Sequence, residues 1–295
     1  MDMAQSDSSR SVLITGASTG IGRACAMHLA RHGYSVFAGV RIDSDAKSIE
    51  AEGSKFGKLS AVIVDVTDIT TVERAVQHIS QIVGDDGLAG VVNNAGIVVS
   101  GPVEFVSLAD WHRQFEVNFF GVIAVTQATL PLLRLHVSKY GSGTARLINM
   151  SSIAGRIAQP ILGPYTASKF ALESLTDSLR LELGPQGIRV SAINPGAIDT
   201  PIWTKAQTAA GKVTADDPAR GLYGPLIAGV TAGATKAAAG AAPVTLVADA
   251  VLSALKDQNP RTRYFVGKDA KSGALAKRFI PDKMFDWILK RYFRP

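Results

Sequence analysis

The chain has 295 residues, 46% of them hydrophobic and 19% charged, with a formal net charge of +6. That apolar fraction excludes an intrinsically disordered protein, and with no run of 18 or more uncharged apolar residues a membrane-spanning helix is not expected. The single cysteine, Cys25, excludes a disulfide framework and a thiolate metal cluster. The positive charge is local: residues 256–295 hold 11 Lys/Arg against 4 Asp/Glu, which leaves 20 against 21 over the rest. A nucleic-acid protein spreads its basic stripe over the main fold, so nucleic-acid binding is not expected.

The polar residues 1–10 read as a flexible tail without a secretory signal, and the expected setting is cytoplasmic. Strand candidates follow at Ser11–Thr15, Ser35–Val40, Leu59–Val64, Leu88–Asn93, Ala145–Met150 and Ile188–Ile193. Between them helical spacing marks Gly20–Arg31, Ile69–Val83, Ala109–Leu135 and Tyr165–Leu183. Continuous apolar strands joined by helical crossovers predict an α/β fold, a doubly wound parallel sheet covered on both faces. After Asn194 the texture changes. Residues 201–243 are rich in Ala, Gly and Thr with little periodicity, and lie beyond a strand end, where a lid over a crevice belongs. A helix (Val244–Lys256), a strand (Arg263–Val266) and a basic helical extension, residues 271–295, complete one domain that spans 11–270.

Chemistry gathers at the strand ends. The first strand runs into Gly16-Ala17-Ser18-Thr19-Gly20-Ile21-Gly22 and then a helix, a turn that lets backbone approach a pyrophosphate at helix N–H groups. The spacing is G-x-x-x-G-x-G, not G-x-G-x-x-G, and its place after the first strand of a βαβ series points to a dinucleotide. Asp65 and Val66 follow the third strand, where the Asp65 carboxylate faces an adenine; Asn93-Asn94-Ala95-Gly96 follow the fourth, with room for close approach of a cofactor. Tyr165 and Lys169 sit four apart on one helix face, and the ammonium is expected to lower the phenol pKa towards the range of a useful base. Tyr264 and Lys268 repeat the spacing. Ser152 stands 13 residues before Tyr165 at a strand end, whereas Val251 holds that place before Tyr264, so Tyr165 is the catalytic candidate and Tyr264 is structural.

These pieces, with Asn118 and Pro195-Gly196, resemble the short-chain dehydrogenase/reductase family in order and spacing over residues 10–200. The resemblance implies a single-domain, seven-stranded Rossmann-like sheet and an oxidoreductase of hydroxyl and carbonyl groups. It implies Tyr165 as general acid/base and Ser152 as the hydroxyl that positions substrate oxygen. Lys169 would depress the Tyr165 pKa and hold the nicotinamide ribose, and Asn118 would anchor a water leading protons to Lys169. The Ile198 main chain and Thr200 would hold the carboxamide and pyrophosphate. No metal is required.

At the end of the second strand, NAD-using relatives carry Asp where this chain has Val40, and Arg41 follows. An Arg there accepts the adenosine 2′-phosphate, so NADP(H) is expected over NAD(H), with nearby Asp43 and Asp45 as the rival occupants of that pocket. The stretches Pro260–Tyr264 and Gly267–Lys271 resemble the retinol and hydroxysteroid dehydrogenase branch, which implies a lipophilic alcohol or ketone. A 3-oxoacyl reductase and a non-catalytic dinucleotide sensor are the alternatives. The family's oligomers imply a homodimer or homotetramer through the long helices. Met284, Phe285, Ile288 and Tyr292 are expected on one face of the last helix, packed on the body or in weak contact with an anionic membrane surface. His28 and His32 lack an evident third ligand, so no metal is expected there. Cys25 reads as a small core residue, and Trp203 begins the lid.

Overall fold

The computed structural model describes residues 10–200 and 218–293. Seven parallel strands form one sheet: β1 (Ser11–Ile14), β2 (Ser35–Val40), β3 (Leu59–Ile63), β4 (Gly90–Asn93), β5 (Ala145–Met150), β6 (Ile188–Pro195) and β7 (Arg263–Val266). Their order is β3-β2-β1-β4-β5-β6-β7. The chain therefore reverses direction across the sheet between β1 and β4, and ligands of such sheets sit outside the strand ends at that switch.

Helices cover both faces: α1 (Gly20–Arg31), α2 (Asp43–Gly53), α3 (Ile69–Val83), α4 (Leu108–Phe115), α5 (Gly121–Tyr140), α6 (Gly163–Leu183), α7 (Pro218–Ala239), α8 (Thr245–Lys256), α9 (Lys268–Phe279) and α10 (Asp282–Tyr292). One core lies under α1 and α8, built on Ile14, Leu29, Val251 and Ile193; the other lies under α3, α5 and α6, built on Leu13, Ile79, Leu133 and Leu147. Adjacent residues Leu13 and Ile14 serve opposite cores, as strand alternation requires.

A polar staple crosses the second core. Asn93 donates to Asn149 Oδ1 at 3.0 Å and to Thr126 at 3.1 Å, and Asn149 donates to Thr176 at 2.9 Å. Asn93 is thus buried structure tying β4 to β5 and α5, and its neighbour Asn94 is the member of that motif that reaches the cleft.

Four expectations change. The helix expected over Ala109–Leu135 is interrupted: Glu116–Phe120 is wound as π-helix around the buried Asn118, an irregularity that recurs at functional sites. Leu108–Tyr140 as a whole is long and apolar enough by length and composition to cross a membrane; here α5 packs on β4, β5 and α3 as a core helix. The lid contains the 22-residue helix α7; its first part, residues 201–217 with Trp203, lies outside the described residues, as do residues 1–9 of the N-terminal tail. Ala is the best helix former, so an Ala-rich segment needs little apolar periodicity to be helical. On α10 the inward side chains are Phe285, Ile288 and Leu289, not Met284 and Tyr292, which are exposed.

Candidate active site

The glycine turn after β1 is shaped by contact as much as by conformation. Gly16 has φ +65°, and a methyl on it would lie 2.8 Å from the Ala95 Cα. A methyl on Gly22 would lie 2.2 Å from the Gly16 carbonyl oxygen and 2.4 Å from the Asn94 amide nitrogen. The start of α1 therefore rests directly on the turn. Asn94 holds it there by donating to the carbonyls of Thr15 (2.9 Å) and Gly16 (3.1 Å). Thr15 Oγ1 in turn accepts from the amides of Asn94 and Ala95 at 3.0 and 3.1 Å. Arg23 closes the outer side, donating to the Ser18 carbonyl and pairing with Glu52 of α2 at 2.6 Å.

This turn forms one end of a cleft of about 400 Å³ across the switch point. Gly16, Ser18, Thr19, Gly20, Ile21 and Gly22 line it, with Arg41 from the β2 end and Asp65 and Val66 from the β3 end. Asn94, Ala95 and Gly96 form the floor, and Pro195, Gly196, Ile198 and Thr200 close the far end beside Ser152, Tyr165, Lys169 and Asn118. The expected catalytic residues and the expected cofactor-binding residues other than Asn93 are thus brought to one cleft. Asp43 and Asp45 are not in its wall; they stand in the first turn of α2, where carboxylates suit a helix N-terminus. Asp65 accepts from the Thr67 amide and hydroxyl at 3.0 and 2.7 Å.

At the far end, Ser152 and Tyr165 share a hydrogen bond. The Lys169 ammonium lies 5.9 Å from the Tyr165 ring centre and donates to the Met150 carbonyl at 2.8 Å. The electrostatics reverse the expectation that Lys169 pulls the phenol down. Burial raises the Tyr165 pKa above its ordinary value, opposed by the Ser152 hydrogen bond. Lys169 is the group that moves down, to about 8, because burial disfavours its charge more than nearby Glu173 favours it. Glu173, itself buried, accepts from Arg263 of β7 at 2.7 Å and from Asn194 at 2.6 Å. Arg263 also reaches Asp177 at 2.6 Å, so the conspicuous tail stretch around Tyr264 has a structural use. Tyr264 is buried, accepts from the Arg261 amide at 3.0 Å and is remote from the cleft wall.

Asn118 spends its amide on structure. Its Oδ1 accepts from the Ile97 amide at 2.8 Å, while Nδ2 donates to the Ile97 carbonyl at 3.1 Å and to Ser168 at 3.3 Å. The expected water anchor would have to be its main chain, within the π turn.

Several cleft residues carry no sequence signal: Val64, Ile97, Val98, Val117 and Met150 are apolar residues typical of any strand end or helix. Arg113, one helical turn before Val117, also lines the cleft and pairs with Asp110 at 3.2 Å. Ile161, four residues before Tyr165, has φ +66°, a costly conformation for a β-branched residue; its carbonyl accepts from the Gly101 amide at 2.7 Å. His28 meets Asp249 of α8 at 3.0 Å, and among the described residues no group of three ligands could hold a metal. Cys25 is buried, its thiol pushed up to about 12.

The model of the short chain dehydrogenase family matches residues 10–211. The NADPH-dependent 3-dehydrocapnine reductase of Ornithobacterium rhinotracheale is 35% identical over 279 residues, covering 95% of each chain. The 17-beta-hydroxysteroid dehydrogenase type 6 of Bos taurus is 34% identical over 295 residues, 95% of this chain and 87% of that one. A solved short-chain dehydrogenase from Streptomyces avermitilis shares the fold with a TM-score of 0.73 at 23% identity, over 96% of this chain and 95% of the other.

Proposed function

The chain belongs to the short-chain dehydrogenase family and is an NAD(P)-dependent oxidoreductase of hydroxyl and carbonyl groups; from that premise we propose that it is an NADP(H)-dependent enzyme for a lipophilic alcohol or ketone, with Tyr165 as its acid/base. The observation that carries this reading is the Ser152–Tyr165–Lys169 cluster at one end of a cleft whose other end is the glycine cradle. The cradle fits a pyrophosphate, because the turn runs into the N-terminus of α1 and Ser18, Thr19, Gly20, Ile21 and Gly22 line the cleft there.

A nicotinamide dinucleotide bound there supplies or accepts the hydride. The Ser152 hydroxyl donates a hydrogen bond to the substrate oxygen and holds it beside the phenol. Tyr165 passes a proton to that oxygen in reduction and takes it back in oxidation. A phenol held above its ordinary pKa is protonated at neutral pH and so holds the proton that reduction of a carbonyl requires. Lys169 donates to the ribose hydroxyls and supplies positive charge beside the phenol when the phenolate forms. Arg41 meets the 2′-phosphate, and the withdrawal of Asp43 and Asp45 into α2 removes the carboxylates that would repel it.

Helix α7 of the lid is tied to the body, Tyr223 donating to Glu104 at 2.9 Å and meeting Phe105 edge-on. The apolar substrate is supported by the tail resemblance at Pro260–Tyr264 and Gly267–Lys271. The name of the hydroxysteroid relative points the same way. A homo-oligomer is supported by the exposed Phe120, Leu135, Phe170 and Leu181 on α5, α6 and the π turn. Weak contact with an anionic membrane is supported by the outward Met284, Trp287 and Tyr292 of α10 among Lys283, Lys290 and Arg291.

Turnover of a ketone panel with NADPH tests the reading. Bulky apolar ketones, such as a decalone and a 3-ketosteroid, are expected to react faster than an acetoacetyl thioester. Tyr165→Phe is expected to lose about 10³-fold in kcat while still binding cofactor. A preference for the thioester would install the fatty-acid alternative, and an unchanged rate in Tyr165→Phe would remove Tyr165 from the chemistry.

A further inference from the structure

The segment 195–200 has no regular secondary structure beyond the end of β6, yet it closes the far end of the cleft and must hold one shape. Its own amides show how. The Gly196 amide donates to the Val266 carbonyl at 2.9 Å and the Asp199 amide to the Ala242 carbonyl at 3.1 Å. The Ala197 amide donates to Asp269 Oδ2 at 2.7 Å. Of these three acceptors only Asp269 is a side chain.

That carboxylate is closely fitted. A methyl on Gly196 would lie 2.2 Å from both Asp269 oxygens, and one on Gly267 would lie 2.6 Å from Oδ1. Gly267 has φ +101°, which turns the chain from β7 into α9 and brings Asp269 back over the loop. The helix itself is anchored: Ala270 is fully buried, and Gly273 crosses Ile157 and Ile153, next to Ser152, where a methyl would lie 3.0 Å from the nearer. Asp269 is not part of the cleft wall. Whatever it does for the site it does through the backbone of the loop.

We propose that Asp269 is a positioning residue for the nicotinamide half of the cofactor, acting through the Gly196–Ala197 main chain. This rests on the reading that the cleft takes NADP(H). It gives the tail stretch Gly267-Lys268-Asp269 a function: α9 carries one acceptor to the loop that closes the nicotinamide end, and the glycines on either side make room for it. The adenosine end, built on residues 16–22, 41 and 65–66 with its own glycines, is independent of this contact.

The test compares NADPH with 2′,5′-ADP, which carries the adenosine 2′-phosphate but no nicotinamide. Asp269→Ala is expected to weaken NADPH binding about 10-fold and leave 2′,5′-ADP binding unchanged. Asp269→Asn keeps an acceptor oxygen and is expected to stay within about 3-fold of the parent for both. Equal loss of both ligands in Asp269→Ala would make the role general folding and overturn the proposal. So would unchanged NADPH binding, or a loss in Asp269→Asn as large as in Asp269→Ala. If Asp269→Ala does not fold, Gly196→Ala reads the same contact from the loop side: it must lose NADPH selectively, and parent-like binding overturns the proposal. A parent protein that prefers NADH would refute only the 2′-phosphate reading, and the same variants are then read with NADH against ADP. A parent protein that binds neither dinucleotide would remove the premise and the proposal together.

Discussion

The two ends of the cleft are made in opposite ways. The phosphate turn is assembled from residues 15–22 and 94–95, and its requirements are negative ones: no side chain at Gly16 or Gly22, because backbone already occupies the space. The loop at the other end, 195–200, is held by Ala242, Val266 and Asp269, and beside it a buried charge, Lys169, must be kept in place. The first end rests on glycines packed against backbone, with Asn94 holding them; the other rests on acceptors that arrive from farther along the chain, Ala242, Val266 and Asp269. The difference teaches where damage shows: changes at the first end are expected to weaken binding of every part of the cofactor, while changes at the second are expected to weaken the nicotinamide half or turnover and spare the adenosine half.

The largest expected effect sharpens the first half of that contrast. Gly22→Ala pushes a methyl into the Gly16 carbonyl and the Asn94 amide together, and neither can retreat without moving α1 or β4. Loss of about 100-fold in affinity, equal for NADPH and 2′,5′-ADP by calorimetry, is expected. If Gly22→Ala spared 2′,5′-ADP, the two ends would not be separable as described.

The second prediction concerns Lys169. Its pKa, lowered to about 8 by burial, means that the folded state binds the proton less tightly than the unfolded chain does. The penalty is therefore fully present below pH 8 and fades as pH rises from 8 towards the ordinary lysine value. Lys169→Met is expected to abolish efficient turnover yet stabilise the empty protein by about 1–2 kcal/mol at pH 7, after allowing for the orphaned Met150 carbonyl. Thermal melting at pH 7 and pH 10 checks this, with the gain shrinking at the higher pH. In the parent protein, turnover limited by charged Lys169 falls as pH rises through about 8. Destabilisation at both pH values would mean that Lys169 is held without penalty.

The same contrast explains what could be read from the chain alone. Strands β2, β5 and β7 and helices α1 and α3 have the predicted bounds because their apolar runs or periodicity are bracketed by turn residues. Helix α2 escaped because it is weakly amphipathic, with only Ile49 and Gly53 buried. Helix α7 escaped because its Ala and Gly residues carry no apolar stripe. The site followed the same logic. Gly16, Ser152, Tyr165 and Lys169 were legible because their spacing encodes a chemical need. Arg113 and Asp269 were not, because each is an ordinary charged residue on a helix until the fold shows what it meets. The sign of the Tyr165 shift was also out of reach, since charge spacing was visible in the sequence and burial was not.

The smallest effect bears most directly on the central claim, that the cleft is built for NADP(H). Arg41 is exposed at the rim of the cleft and would contribute one charge-assisted contact to a 2′-phosphate, so its removal is expected to cost about 10-fold. The measurement is binding of NADPH and NADH, side by side, by fluorescence transfer from protein to nicotinamide, in the parent protein and in Arg41→Ala. Tighter binding of NADPH is expected, with the advantage lost in Arg41→Ala and NADH binding unchanged. Tighter binding of NADH by the parent protein, indifferent to Arg41, would contradict the claim.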